Sequence, residues 1–333
     1  IDVLNGPEFA ALMTESQLMT DPPTPDSLLY YPNPEQAPTT DWQKEIFRRA
    51  PMQNHQLSLS GGNEKTRFAI TGNYFDQDGV ILGSRFWRGS FRANLDQKVS
   101  DRVDIGTSLV GSRNFTNKSL TDGGAGGVVY GALHMNPTIP VKDEDGNYNH
   151  SNALIPWQNR FGNPVASAAE ILDEVIADRV MGNAFVNVNI LSGLNLRISG
   201  GVDITNSERN TYYPKMSLQG MLSNGSAMID ASTGYSWLNE NILSYKKEFA
   251  GIHNLDVTAG FTQQAGEWKY HGIDNYDFVI DFFGTNNIGA SQSQNIPQSG
   301  RGSYSMLSWL GRVNYVLMDK YLFTITSRAD GSS

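Results

Sequence analysis

Clustered acids and histidines are where metal or acid–base chemistry would be sought first, and "KDEDGNYNH" (Lys142 to His150) gathers Asp143, Glu144 and Asp145 as a calcium loop does. It lacks the alternating ligand spacing and the distal glutamate that cage the ion. An Asp-Gly hairpin tip accounts for it better. The five histidines, at 55, 134, 150, 253 and 271, never fall at the i, i+4 spacing that puts two imidazoles on one helical face. "GGAGGVVYG" (Gly123 to Gly131) is glycine-rich, but no Lys-Ser/Thr and no βαβ unit follow, so it reads as a flexible loop and not as a phosphate cradle. No Gly-x-Ser-x-Gly elbow occurs, and no local sequence nominates a carboxylate pair for glycoside hydrolysis. The sequence predicts no enzyme, no cofactor and no metal site. What remains is the weaker chemistry of recognition: loop aromatics and amides, Tyr130, Asn136, Tyr148, Trp157, Asn159, Tyr212 and Tyr213, can stack on or hydrogen-bond a sugar or a peptide. For any one of them, packing inside its own loop is the competing explanation.

The elements that must position these groups are strands. Aromatics make up 11 % of the chain and charged residues only 18 %, with 33 glycines among 333 residues, a balance that suits strands and tight turns. In "RFWRGSFRANLDQKVS" (Arg85 to Ser100), Trp87, Gly89, Phe91, Ala93, Leu95 and Val99 fall on one face of an extended chain. Arg88, Arg92, Asn94, Asp96 and Lys98 fall on the other. The same two-faced pattern recurs through Phe68–Tyr74, Ile105–Leu109, Gly182–Ile190, Leu196–Ile204, Leu255–Phe261, Leu307–Leu317 and Tyr321–Ile325, with a weaker strand over Trp237–Lys247. About ten strands result. Ahead of them, "IDVLNGPEFAALMTES" predicts a short helix with Asn5 as cap, Pro7 early and a stripe of Phe9, Leu12 and Met13.

Connections near residues 61–66, 99–103, 192–195, 249–254 and 318–320 are tight, whereas those around 119–172, 206–234 and 267–304 are long. Consecutive antiparallel strands place alternate connections at opposite ends, so one end carries turns and the other elaborated loops. That asymmetry is the layout of outer-membrane barrels. The apolar rows contain no Asp, Glu, Lys or Arg, and Tyr74, Trp87, Tyr245, Tyr315 and Tyr321 lie toward strand ends, where interfacial girdles belong. No window approaches 18 uninterrupted apolar residues; "MLSWLGRVNYVLM" is broken by Arg312 and Asn314. A net charge of −9 argues against a nucleic-acid binder, and zero cysteines exclude disulfides and thiolate metal sites. A soluble sandwich or propeller that binds or hydrolyses carbohydrate would show the same periodicity, with its apolar rows against a second sheet.

Several stretches carry a resemblance. "LNGPEFAALMTES", "TDWQKEIFRRAPMQNHQLSLSGGNEKTRFAITGNYFDQDGVILGSRFWRGSFRANLDQKVSDRVDIGTSL", "NPTIPVKDEDGNY" and "DKYLFTITSRADGSS" resemble the SusC/RagA family of TonB-linked outer-membrane transporters of Bacteroidetes. The resemblance covers most of the chain and is weakest in the long loops. It implies an all-β fold, an antiparallel transmembrane barrel of about 22 strands, of which this chain supplies about ten, with long extracellular loops bearing short helices. The expected organisation is a long loop with a short helix over 1–55, strands over 56–118, a long extracellular loop over 119–172, and strands with two further long loops over 173–333. The plug and the rest of the barrel are expected outside this chain. The resemblance further implies import of glycans or peptides through the outer membrane, a SusD-like surface lipoprotein as lid, and energy from TonB acting through parts not present here. On that reading the bilayer covers the apolar rows, and Arg88, Arg92, Asn94, Asp96, Asn187, Arg197 and Arg312 face the lumen.

Overall fold

A strand that places Val180, Gly182, Ala184, Val186, Val188 and Ile190 on one side and Arg179, Asn183, Asn187 and Asn189 on the other needs two unlike surroundings. The chain provides them with a single sheet. The computed structural model describes residues 1–121, 124–149 and 161–333. They form one 11-stranded antiparallel sheet: β1 (Met52–Gly62), β2 (Thr66–Asp78), β3 (Arg85–Lys98), β4 (Val103–Asn117), β5 (Leu172–Leu191), β6 (Leu194–Tyr213), β7 (Ser226–Phe249), β8 (His253–Phe278), β9 (Ser291–Gln294), β10 (Gln298–Leu317) and β11 (Tyr321–Ser332). Neighbours in sequence are neighbours in the sheet, except that β10 pairs directly with β8 and the short β9 sits at the far end of β8. Such a meander joined by hairpins is one sheet without a covering second sheet, and it overturns the sandwich or propeller alternative.

Register carries the apolar row from strand to strand. Phe68 lies opposite Leu95, Leu95 opposite Thr107, Ile105 opposite Val186, and Val186 opposite Ile198. Beyond β7 the row continues through Val257, Val313 and Ile325. A one-residue slip anywhere would turn polar groups into this band, so the pattern itself pins the register. Most of these side chains are exposed, among them Phe91, Val186, Ile198 and Trp309, and no second sheet of the described residues packs on them. The tight hairpins close as expected; in the three-residue β10–β11 connection Met318 and Asp319 both take positive φ, and the Lys320 amide donates to the Leu317 carbonyl at 3.0 Å, as in a type I′ turn.

The strands outrun the sequence reading at the long-loop end. Residues 206–213 and 226–234 belong to β6 and β7, and 267–278 and 298–304 to β8 and β10. The connections proposed over 206–234 and 267–304 shrink to 214–225 and 279–297. A membrane strand needs about 9–11 residues, and β8 has 26. Its upper half leaves the apolar band and exchanges apolar side chains for charges that pair across strands. Arg113–Asp178 (2.7 Å), Arg85–Asp76 (2.8 Å) and Arg301–Glu267 (2.5 Å) all lie on the apolar row's own face, beyond the band. Alternation of apolar and polar residues stops there although the strand does not.

Helices α1 (Gly6–Leu18), α2 (Trp42–Ile46), α3 (Val128–His134) and α4 (Pro164–Glu170) belong to the loops. Asn5 caps α1 with Glu8 in a reciprocal capping box, as read from sequence. Ala10 and Tyr31 are buried with Phe9 and Met13 against them, while Leu12 stays exposed. "GGAGGVVYG" is not a flexible loop in its second half: Val128 to His134 are helical, and Val128 is fully buried. The "KDEDGNYNH" stretch is a hairpin, with Lys142 bridged to Tyr148, Asp143 accepting from the Asn147 amide at 2.8 Å, and Gly146 at positive φ. Among the described residues, no group of three or more acidic, histidine or cysteine side chains is placed to hold a metal.

Candidate functional site

The polar row is the face with chemistry. Arg88, Arg92, Asn94 and Asp96 alternate along β3; Asp96 is opposite Gly106, which is opposite Phe185, and Asn187 is opposite Arg197. Arg312 joins the same face through Thr258 of β8. All seven side chains predicted from sequence therefore share one side of the sheet. That side is concave: Arg92, Asn183, Asp203, Ser236, Gln264 and Tyr304, drawn from β3 to β10, surround one cavity of about 320 Å³. Side chains from so many adjacent strands meet around one space only when the sheet bends toward them.

Electrostatics on this face is local and mutual. Arg179 grips Asp203 across β5 and β6 at 2.5 Å, Arg209 holds Asp173 at 2.7 Å, and Lys246 meets Asp256 at 3.0 Å near the short-turn end. The guanidinium of Arg197 lies 3.8 Å from the centre of the Phe185 ring, a cation–π contact across β5 and β6. Sequence reading missed Phe185 because a single aromatic in a polar row carries no period of its own. Its signal was the facing Gly106, where any side chain would collide with the ring. The side-chain oxygens of Asn73 and Asn114, also on this face, are buried without a donor among the described residues.

The loop candidates separate into two kinds. Asn136 is buried, donating to the Tyr31 hydroxyl at 3.0 Å while its carbonyl accepts from the Thr138 amide and hydroxyl. Tyr212 is buried too, donating to Asp281 at 2.7 Å with its ring edge-on to Phe278. Both side chains hold loops together in this chain. Tyr130 is exposed and stacks on His134, with Phe161 beside them. Tyr148 lies under the Lys142 ammonium, and Tyr213 is half-buried at the end of β6. Trp157 and Asn159 lie outside the described residues.

The loops stand on the sheet as a folded cap. Trp42, Ile46, Val128, Ala132, Met135, Ile139, Val165 and Ala168 form one buried cluster, with Ile81 and Leu82 of the β2–β3 turn packed against it. The Trp42 indole donates to the Asn136 carbonyl at 2.9 Å, the Leu82 amide donates to the Ile46 carbonyl at 3.0 Å, and the Ser119 hydroxyl donates to the Leu82 carbonyl. In α4, desolvation and then the nearby Asp281 charge raise the Glu170 carboxyl above its ordinary value.

No family model matches the chain. It is 31 % identical over its whole length to TonB-dependent receptor P3 of Formosa agariphila, covering 32 % of that protein. It is 25 % identical, again over its whole length, to TonB-dependent receptor SusC of Bacteroides thetaiotaomicron, covering 33 % of it. The chain spans about a third of the length of these curated relatives. In structure it matches the RagAB peptide transporter with a TM-score of 0.78 at 20 % identity, over 99 % of this chain and 40 % of the other. The ferric citrate transporter FecA matches with a TM-score of 0.52 at 9 % identity, over 84 % of this chain and 38 % of the other. Over its whole length the chain is thus similar to a stretch of TonB-dependent receptors, SusC among them, and it shares the fold of the matching part of the RagAB transporter; its place is the outer membrane.

Proposed function

We propose that this chain forms part of the wall and mouth of an importer for nutrient oligomers, glycans or peptides, working with a SusD-like surface lipoprotein and powered through TonB. The observation that carries the reading is the two-faced sheet, whose apolar row is uncovered among the described residues while its concave face carries Arg88, Arg92, Asn94, Asp96, Asn187, Arg197 and Arg312. These seven side chains face the lumen, toward a plug or a passing solute. Weak, repeated contacts from such groups suit transport, in which a ligand must bind and leave. No covalent step is needed. The names of the relatives support the reading, one being SusC and another the RagAB peptide transporter. Tests use the full-length receptor in its native host. Deleting its gene abolishes growth on one glycan or peptide source, and an affinity-tagged copy co-purifies a surface lipoprotein. Unchanged growth on every oligosaccharide and peptide source, with no lipoprotein recovered, contradicts the proposal.

A further inference from the structure

Three consecutive cross-strand pairs high on the concave face each match an aromatic ring with a glycine. Gly266 lies opposite Tyr304, Trp268 opposite Gly302, and Tyr270 opposite Gly300. In each pair the ring leans over its glycine, where a methyl group would collide with it. Trp268 and Tyr270 are nearly parallel, 18° apart with centroids 6.2 Å apart. The rings are held on their sheet side and open on the other, with Trp268 51 %, Tyr270 41 % and Tyr304 46 % exposed. Among the described residues the Trp268 indole N–H and the Tyr270 and Tyr304 hydroxyls have no hydrogen-bond partner, so their polar ends remain available as well.

Polar groups surround this surface. Ser232 and Ser236 of β7 lie opposite Tyr270 and Gly266, and Gln264 precedes the rings on β8. The Arg179–Asp203 pair lies on β5 and β6, and Asp203 is opposite Ser236; neighbouring strands are about 4.8 Å apart, so the pair is within reach of a ligand spanning the rings. On the reverse of the same strands Glu267 holds Lys269 at 2.8 Å and Arg301 at 2.5 Å. These charges place the rings beyond the apolar band, at the mouth.

We infer that Trp268, Tyr270 and Tyr304 form a stacking platform for pyranose rings of an oligosaccharide at the mouth of the barrel. The inference rests on the import function proposed above and assigns it a glycan. A pyranose presents an apolar C–H face and a rim of hydroxyls. It suits an open aromatic surface edged by hydroxyl, amide and carboxylate groups. A peptide side chain would want an enclosing apolar pocket, whereas the cavity beside Tyr304 is edged by the polar and charged groups of Arg92, Asp203, Ser236 and Gln264.

The test measures calorimetric binding to the full-length receptor in a detergent without a sugar headgroup. Probes are hexasaccharides of maltose, cellulose and xylan type, and an apolar hexapeptide. At least one hexasaccharide binds; Trp268→Ala weakens it about tenfold, and Trp268→Phe, which keeps an aromatic face, restores most of the affinity. Gly302→Ala, which displaces the indole without removing it, weakens binding in the same direction. Lys269→Ala, on the opposite face of β8, leaves affinity unchanged and shows that the strand is intact. Preference for the hexapeptide, binding to no hexasaccharide, or equal affinity of wild type and Trp268→Ala each overturns the platform. Growth on a glycan that persists while Trp268→Ala binds normally would refute the platform and spare the import function.

Discussion

The sheet and the cap standing on it are stabilised in opposite ways. Among the described residues the buried apolar clusters are built from loops and from the strand ends beneath them: Trp42 with Ile46 and Val128, Ala10 with Tyr31, and Tyr212 with Ala227 and Phe278. The wall has no such core. Its Phe91, Val186, Val202 and Trp309 are large, apolar and exposed, and its strands are joined by ladder hydrogen bonds across a continuous register. The cap follows the soluble rule that apolar means inside. The wall inverts it, because its solvent on one face is hydrocarbon. A single chain can obey both only if the boundary between them is drawn in its side chains, and the outward pairs Asp76–Arg85, Arg113–Asp178 and Glu267–Arg301 draw it.

Substitutions can break each side of this contrast. The largest effect is expected in the cap, where Trp42→Ala removes a buried ring together with the indole N–H that donates to the Asn136 carbonyl. A loss of about 3–5 kcal/mol of local stability follows, read as faster hydrogen exchange over residues 128–139 with the strands unaffected. In the wall, Val186→Arg puts a charge in the middle of the band and costs about 2–4 kcal/mol, whereas Asn187→Arg, one residue on and on the concave face, is tolerated. Heat-modifiable migration of the full-length receptor on gels separates the two, and equal damage from both contradicts the assignment of faces.

Smaller effects sharpen the boundary. Asp178→Ala strands Arg113 alone; if that row lies in water, the exposed pair contributes little, so folding in vesicles of normal thickness hardly changes. A loss comparable to Val186→Arg would move the membrane edge above this row. The smallest effect is a pH response in the cap. Glu170 has its carboxyl raised by burial and by Asp281, so the folded state holds its proton more tightly than the unfolded state does. Its destabilising contribution is absent below the unfolded value near 4.5 and grows as pH rises through the folded one. Hydrogen-exchange protection over α4, taken relative to the intrinsic exchange rate at each pH, should therefore fall from pH 4 to pH 7, and Glu170→Gln should flatten that fall.

Much of the wall was legible because its residues obey one period. Trp87 to Leu95, Gly182 to Ile190 and Leu196 to Ile204 give strand, face and register at once, and the tight turns show which end is which. Legibility failed where the period lost its contrast. Residues 206–213, 226–234, 267–278 and 298–304 are strands with charged or polar groups on both faces, so they looked like loops. Trp268, Tyr270 and Tyr304 were hidden inside them, although "GEWKY" and "GRGSY" hold glycine and aromatics at alternate positions, the pattern of rings laid over a facing strand. Loop side chains failed for another reason. Asn136 and Tyr212 had the right chemistry for a ligand, but partners distant in sequence, Tyr31 and Asp281, use that chemistry for packing.

The central claim is that the row through Val186 faces lipid and the row through Asn187 faces an aqueous lumen. Because this stretch has no cysteine of its own, single cysteines can be placed along β5 from 180 to 189 in the full-length receptor, in a background without other reactive thiols. Each is labelled with a nitroxide in vesicles and tested with oxygen and with a water-soluble nickel chelate. The account predicts strict alternation, with even positions relaxed by oxygen and odd positions by the chelate. Uniform access of the chelate to both rows, or alternation with the opposite phase, would contradict it.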